Sequence, residues 1–320
     1  MSSATHATMR SAFGPAVSVD RLTRHFGDVV ALDALSFQVG SGELFGIVGP
    51  DGAGKTTTLR LLAGVMKPTS GDATVRGTSV AQNPEGVKHH IAYMSQRFGL
   101  YGDLTVHENI QFYADLYGVP RSARPARIER LYAFSKLGPF AKRLAGKLSG
   151  GMKQKLSLCC ALIHEPEVLL LDEPTFGVDP ISRRELWLIV HEMVARGMTA
   201  IVSTAYLDEA ERCDRVALLQ SGKLAALDTP ARLQDRLRGR AVAFDCDAPR
   251  RAATLLQTIA GVRSAALYGE ALHVTLERAE LVPELERALA AANITVHATR
   301  PLEASLEDVF IDLTTDDHVN

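Results

Sequence analysis

The stretch Gly49-Pro50-Asp51-Gly52-Ala53-Gly54-Lys55-Thr56, continued by Thr57, constrains this chain more than any other. It fits the pattern GxxxxGK[ST]. It lies between an apolar run, Leu44–Val48, and a helix-favouring segment, residues 55–65. In that setting the pattern has a physical meaning. Gly52 and Gly54 let the backbone curl so that its N–H groups point inward at phosphate oxygens, and the helix N-terminus adds positive potential. Lys55 can reach the outer phosphates, and the Thr56 hydroxyl can ligate Mg²⁺. A glycine-rich turn with a chance lysine would need neither the strand before it nor the helix after it.

A second apolar run, residues 168–171, delivers Asp172 and Glu173 to its C-terminal end, where α/β sheets bind ligands. Asp172 is the candidate for holding Mg²⁺ through water, and Glu173 for polarising an attacking water. Buried-strand candidates at 199–203 and 215–219 lie near helical stretches at 182–196 and 206–212. Residues 17–239 therefore read as an α/β domain with a mainly parallel sheet. Within it, residues 97–165 lose the strand signal and read as a helical insertion, with Asp103 as N-cap of a helix over 105–117 and a second helix over 126–136.

After Gly239 the pattern changes. Residues 240–320 read as a small α+β ferredoxin-like accessory domain in the order β-α-β-β-α-β. Its parts are a strand over 241–245, a helical stripe of Leu255, Leu256 and Ile259, and a hairpin of 262–267 with 271–276 turning through Tyr268-Gly269-Glu270. A helix face of Leu281, Leu285 and Leu289 and a last strand over 294–299 complete it. Residues 1–16 read as a disordered tail without the apolar core of a signal peptide.

Lys plus Arg number 35 against 37 for Asp plus Glu, so the basic excess of a nucleic-acid binder is missing. The apolar runs are too short to cross a bilayer. Cys159, Cys160, Cys213 and Cys246 show no CxxC spacing and no histidine at metal-site spacing, and read as buried reduced thiols that fit the cytoplasm.

Leu148-Ser149-Gly150-Gly151-Met152 resembles the signature motif of ABC ATPases, with Met where Gln is commonest. With the two motifs above, residues 17 to about 238 resemble that family. The resemblance implies a P-loop NTPase fold that binds ATP with Mg²⁺ and hydrolyses it. It implies an adenine stacked on Phe26, a Q-loop at Gln96 that contacts Mg²⁺ and the γ-phosphate beside the docking surface of a membrane subunit, and a D-loop at Asp179. It also implies a head-to-tail dimer in which Ser149, Gly150 and Gly151, ahead of a helix expected over 152–163, complete the partner's ATP site. The tracts 148–160 and 171–187 look most like the drug-efflux branch of ABC-2 type exporters. The ending Ser305-Leu-Glu-Asp-Val-Phe310 is similar to the C-terminal domains of that type. The implied partners are ABC-2 type transmembrane permease subunits and a second ATPase domain, with no nucleic acid. The implied place is the cytoplasmic face of the cell membrane, held peripherally.

One position departs from the family. A histidine is usual after the strand that follows the acidic pair, but Val202-Ser203-Thr204-Ala205-Tyr206 carries Ala205 there. Losing one preorganised contact to developing charge costs about 10²–10³ in rate. The expectation is intact ATP binding, slow hydrolysis at this chain's own site, and a heterodimer with a subunit that keeps its histidine. A homodimer would carry Ala205 in both sites. His164 and His191 stay open as substitute donors, and a regulatory subunit with almost no turnover stays open as a second reading. A soluble ABC ATPase acting on ribosomes or DNA usually has two ATPase domains or a coiled-coil insert, and neither is in this sequence.

Overall fold

The structure, a computed structural model, describes residues 14–96, 99–269 and 271–315. The expected tail falls outside these residues except for Gly14, Pro15 and Ala16; Ala16 is buried and its carbonyl accepts the Arg76 N–H at 2.8 Å. Packing divides the chain into two units. The first holds the described residues up to Tyr206 together with Leu219–Leu224, and the second holds Leu207–Leu218 and the residues from Ala225 onward.

The first unit contains two sheets. Strands β1 (Val17–Phe26) and β2 (Val29–Val39) form a hairpin that pairs with β4 (Ser70–Val75) and β5 (Thr78–Ser79) in the antiparallel order β2-β1-β4-β5. This antiparallel layer goes beyond the mainly parallel sheet expected. Its signal is the two-residue turn Gly27-Asp28 between Phe26 and Val29, with Gly27 at φ 57°. The parallel layer contains β3 (Leu44–Val48), β6 (Ile91–Met94), β7 (Val168–Asp172) and β8 (Thr199–Thr204), in the order β3-β8-β7-β6. Every residue of β3, β7 and β8 is buried, as the continuous apolar runs require of strands covered on both faces. Burying each leucine of β7 contributes about 1.5–3 kcal/mol. Register aligns Val48 with Thr204 and Asp172 with Ser203, so the phosphate-loop pattern, the acidic pair and Ala205 all follow from one edge of the sheet.

Helices α1 (Lys55–Leu62) and α2 (Pro84–Lys88) precede the helical insertion, which holds α3 (Val106–Leu116), α4 (Arg124–Ser135) and α5 (Gly150–Leu162). The cap of α3 corrects the sequence reading. Thr105, not Asp103, is the N-cap: its Oγ1 accepts the Glu108 N–H at 3.2 Å, while Glu108 Oε2 accepts the Thr105 N–H at 2.8 Å. That reciprocal bond holds the Glu108 carboxyl below its usual range. Helix α6 (Pro180–Ala195) starts at Asp179, whose Oδ1 accepts the Ser182 N–H at 2.9 Å, with Pro180 in the first turn. No helix among the described residues is long and apolar enough to cross a membrane.

The second unit contains α7 (Leu207–Ala210) and α8 (Pro230–Asp235); strands β9 (Arg215–Gln220) and β10 (Lys223–Asp228) carry the chain between the units. The rest is a split β-α-β pair: β11 (Ala241–Cys246), α9 (Pro249–Leu256), β12 (Val262–Tyr268), β13 (Ala271–Leu276), α10 (Val282–Ala291) and β14 (Val296–Pro301). The sheet is antiparallel in the order β12-β13-β11-β14, and Phe244, Leu256, Leu272, Val274, Leu285 and Leu289 fill its core. Glu270 of the hairpin turn lies outside the described residues. The last strand begins two residues later than expected, because Ile294 is spent in the core ahead of it.

The division at Gly239 differs from the packing. A final helix unforeseen in the sequence, α11 (Leu306–Thr315), contacts α7 and α8 and draws them into the second unit. Its start is capped by Ser305, whose Oγ accepts the Asp308 N–H at 3.2 Å while Asp308 Oδ2 accepts the Ser305 N–H at 2.8 Å. All four cysteines are buried; burial pushes the Cys159 thiol up to about 12 and the Cys160 thiol well above its ordinary value.

The α3 cap gives a direct test. Thr105→Ala is expected to cost about 1 kcal/mol in urea unfolding followed by circular dichroism. Asp103→Ala is expected to leave the midpoint unchanged.

Candidate functional site

The loop Gly49–Gly54 joins β3 to α1, and its conformation depends on glycine. Gly52 and Gly54 have φ of 80° and 100°, and a Cβ on Gly54 would stand 2.8 Å from the Ala31 carbonyl oxygen. Lys55 is the first residue of α1 and is buried. Its Nζ donates to the carbonyls of Gly49 at 2.9 Å and Pro50 at 3.0 Å, and lies 3.2 Å from Glu173 Oε1. The Asp51 side chain is fully exposed, with its nearest oxygen 4.0 Å from the same Nζ. Ala53 closes the loop, donating its N–H to Pro50 and accepting from the Gly222 N–H.

Asp172 is 1% exposed, and donors meet both its oxygens. Thr56 Oγ1 donates to Oδ1 at 2.9 Å, Ser203 Oγ donates to Oδ1 at 2.7 Å, and the Tyr93 hydroxyl donates to Oδ2 at 3.2 Å. Burial, then the Asp172 charge, pushes the Tyr93 phenol up to about 12, so it remains a donor. Glu173 follows at φ 47°, a left-handed conformation for a non-glycine residue. Its N–H is held by Ser203 Oγ at 3.0 Å, and Gln96 Nε2 donates to its Oε2 at 3.0 Å. Gln96, Thr56 and Asp172 offer amide, hydroxyl and carboxylate oxygens, a hard donor set that fits Mg²⁺.

The structure thus brings Lys55, Thr56, Asp172, Glu173 and Gln96 into one network. Ser203 and Tyr93 belong to it and were not singled out in the sequence. Both act through pairing between strands: Ser203 on β8 is in register with Asp172, and Tyr93 lies on β6 at the other side of β7. Thr57 is half-buried on α1. Phe26 stands at the end of β1, 44% exposed, with the Arg24 guanidinium 4.6 Å from its ring centroid. Ser149, Gly150 and Gly151 form a second patch with the start of α6. Ser149 Oγ caps α5 by accepting the Met152 N–H at 3.3 Å, and a side chain on Gly151 would collide with Ser182. Helix α5 starts at Gly150, two residues earlier than expected, because Ser149 is its cap.

Ala205 is exposed just past β8. The next residue, Tyr206, donates its N–H to Thr204 Oγ1 at 2.9 Å and carries the Arg183 guanidinium 4.5 Å from its ring. Neither histidine left open stands there. His164 Nε2 is 3.1 Å from the Ile91 carbonyl, at the opposite end of the parallel strands, and its ring stacks on Tyr117. His191 packs 6.0 Å from Trp187 on α6. It lies about 16 Å along the axis from the start of that helix, at 1.5 Å per residue.

A strand-loop-helix phosphate cradle, an acidic pair at a strand end of the same sheet and a glycine-led helix define a nucleotide-hydrolysing α/β protein. The comparisons name the family. The family model described as ABC transporter matches residues 32–176. The chain is 44% identical over 288 residues to a "Probable multidrug ABC transporter ATP-binding protein" of Escherichia coli (strain K12), covering 89% of this chain and 49% of that protein. The chain therefore spans about half the length of that relative. It is 34% identical over 303 residues to a "Nod factor export ATP-binding protein I" of Burkholderia lata, covering 94% of this chain and 98% of the relative. It is 30% identical over 304 residues to a linearmycin resistance ATP-binding protein of Bacillus subtilis (strain 168), covering 93% and 98%. A solved ATP-binding subunit of an ABC transporter superposes with a TM-score of 0.63 at 30% identity, covering 69% of this chain and 92% of that one. The chain belongs to the ABC transporter family and carries an ABC ATPase domain, which binds ATP.

Two variants test the network. Lys55→Ala is expected to weaken ATP binding by a factor of about 10 or more, read by isothermal titration of the full chain, because it removes a charge-assisted contact. Ser203→Ala strips a buried donor from Asp172 and an acceptor from the Glu173 N–H, and is expected to cost about 1–3 kcal/mol in urea unfolding.

Proposed function

We propose that this chain is the ATP-binding and ATP-hydrolysing subunit that powers an ABC-2 type membrane exporter of drugs or other hydrophobic compounds. The observation that carries the reading is the near end-to-end match to an ATP-binding protein named for Nod factor export, with the Lys55, Thr56, Asp172 and Glu173 network formed. Names for multidrug transport and linearmycin resistance among the other relatives point the same way. The partners on this reading are ABC-2 type permease subunits, and the chain lies on the cytoplasmic face of the membrane.

The roles follow from chemistry. The N–H groups of the loop Gly49–Gly54, with Lys55, Thr56 and Thr57, hold the phosphates, and Phe26 stacks on adenine. Mg²⁺, held by Thr56, Asp172 and Gln96, supplies charge neutralisation on the phosphate oxygens. Glu173 orients the attacking water and accepts its proton, with Gln96 fixing the carboxylate from the other side. Asp179 and the patch of Ser149, Gly150 and Gly151 serve an ATP bound mainly by a second ATPase domain. Residues 240–320 act as an assembly module.

Ala205 sets the rate on this reading. It has no group for the γ-phosphate, and His164 and His191 lie elsewhere, so this chain's own site turns over slowly while its Ser149 patch still serves a partner. A heterodimer with a histidine-bearing subunit accommodates both features. Ala205→His is expected to raise the turnover of the purified chain about tenfold or more, and Glu173→Gln to abolish that gain while ATP still binds. Brisk hydrolysis by the unaltered chain, with no gain from the histidine, would overturn the slow-site reading. Purifying the complex from membranes should recover a polytopic permease and a second ATPase. Recovery of neither would overturn the exporter reading.

A further inference from the structure

Arg24 is an unusual residue for an inner strand of a sheet. It lies two positions before Phe26 on β1, and alternate residues of a strand share a face. That face begins in the core with Leu22, which is fully buried, and ends at the exposed ring of Phe26. Arg24 fills the step between them. Its Nη1 donates to the Lys67 carbonyl at 3.0 Å, beyond the end of α1. Its Nε is buried and has no hydrogen-bond partner. The guanidinium carbon lies 4.6 Å from the Phe26 ring centroid, so the ring is its neighbour where a hydrogen-bond acceptor is missing.

The backbone around this pair is tied on both sides. The Thr69 N–H donates to the Thr23 carbonyl at 2.8 Å, and the His25 N–H donates to Thr69 Oγ1 at 3.0 Å. Across the hairpin Arg24 is opposite Leu32, but His25 is opposite Val30, so the register slips between them. Such a bulge turns a strand and re-aims its side chains. Leu32 in turn closes on the phosphate loop: its Cδ2 lies 2.5 Å from where a Cβ on Gly54 would stand. The Arg24 and Phe26 pair is thus fastened to a strand that touches the loop expected to hold the triphosphate.

We propose that Arg24 is a positioning residue for the nucleotide base, backing one face of the Phe26 ring so that the other face is presented to a purine. The proposal rests on the base-stacking role given to Phe26 above. The physical basis is twofold. A ring pinned by a fixed guanidinium loses little rotamer freedom when a base arrives. A cation on one face also draws π-density from the ring, which favours stacking of an electron-rich purine on the other. Arg24 acts through the ring, so it matters for the base and not for the phosphates.

The test is isothermal titration of the full chain with ATP and with inorganic triphosphate, each with magnesium. Arg24→Ala is expected to weaken ATP about fivefold and to leave triphosphate affinity unchanged. Phe26→Ala is expected to weaken ATP at least as much, and the double variant to match Phe26→Ala alone, because Arg24 has no route to the base without the ring. Arg24→Gln, which keeps a donor for the Lys67 carbonyl but not the cation, repeats the measurement should the alanine variant fail to fold. Unchanged ATP affinity in both Arg24 variants, beside a loss in Phe26→Ala, would overturn the positioning role and spare the stacking role. Equal losses for ATP and triphosphate would overturn it as a general structural defect. Unchanged ATP affinity in Phe26→Ala would remove the stacking role and the Arg24 proposal together.

Discussion

The Asp172 carboxylate is the group on which the rest of the site depends. It ends a strand of fully buried residues and is itself almost wholly out of water, where a charge is tolerated only if donors meet it. The donors come from three places far apart in sequence: Thr56 at the start of α1, Ser203 at the end of β8 and Tyr93 in β6. Meeting that one charge therefore sets the phosphate loop, the acidic pair and two neighbouring strand ends in fixed relation. Ser203 extends the constraint, because the hydroxyl that donates to Asp172 also accepts the Glu173 N–H.

The Lys55 ammonium repeats the logic with the sign reversed. It is buried, and Glu173 with the Gly49 and Pro50 carbonyls satisfies it. Glu173 and the phosphates of a nucleotide are alternative anions for one cation. Pairing with Glu173 spares the cation the penalty of an uncompensated buried charge.

Much of this was legible from local signals. The glycine positions of the phosphate loop, the all-apolar strands and the acidic pair each impose a conformation through their own chemistry, and Lys55, Thr56, Asp172 and Glu173 were readable one by one. Three kinds of feature were harder. Ser203 and Tyr93 matter through pairing between strands, and a serine in a strand carries no local mark of the carboxylate beside it. The start of α3 turned on a choice between two good caps, Asp103 and Thr105, which only the reciprocal bond with Glu108 decides. The last helix was missed although Ser305 and Asp308 stand at capping-box spacing ahead of an apolar run. The unit boundary moved with it, since a boundary depends on what packs against what and not on where a pattern changes.

The backbone of Glu173 has a consequence for how such a chain ages under mutation. A left-handed conformation costs a non-glycine residue on the order of 1 kcal/mol or more, a strain that glycine would relieve and asparagine would ease. At this one position the substitutions that relax the fold are those that delete the carboxylate. The same substitutions would strip Lys55 of the anion that compensates its buried charge, so the strain relieved in the backbone is set against an ion pair lost, and the fold itself helps to hold the acid in place. A library chosen for heat resistance alone would therefore find no easy gain at position 173, where a strained backbone and a buried charge pull in opposite directions.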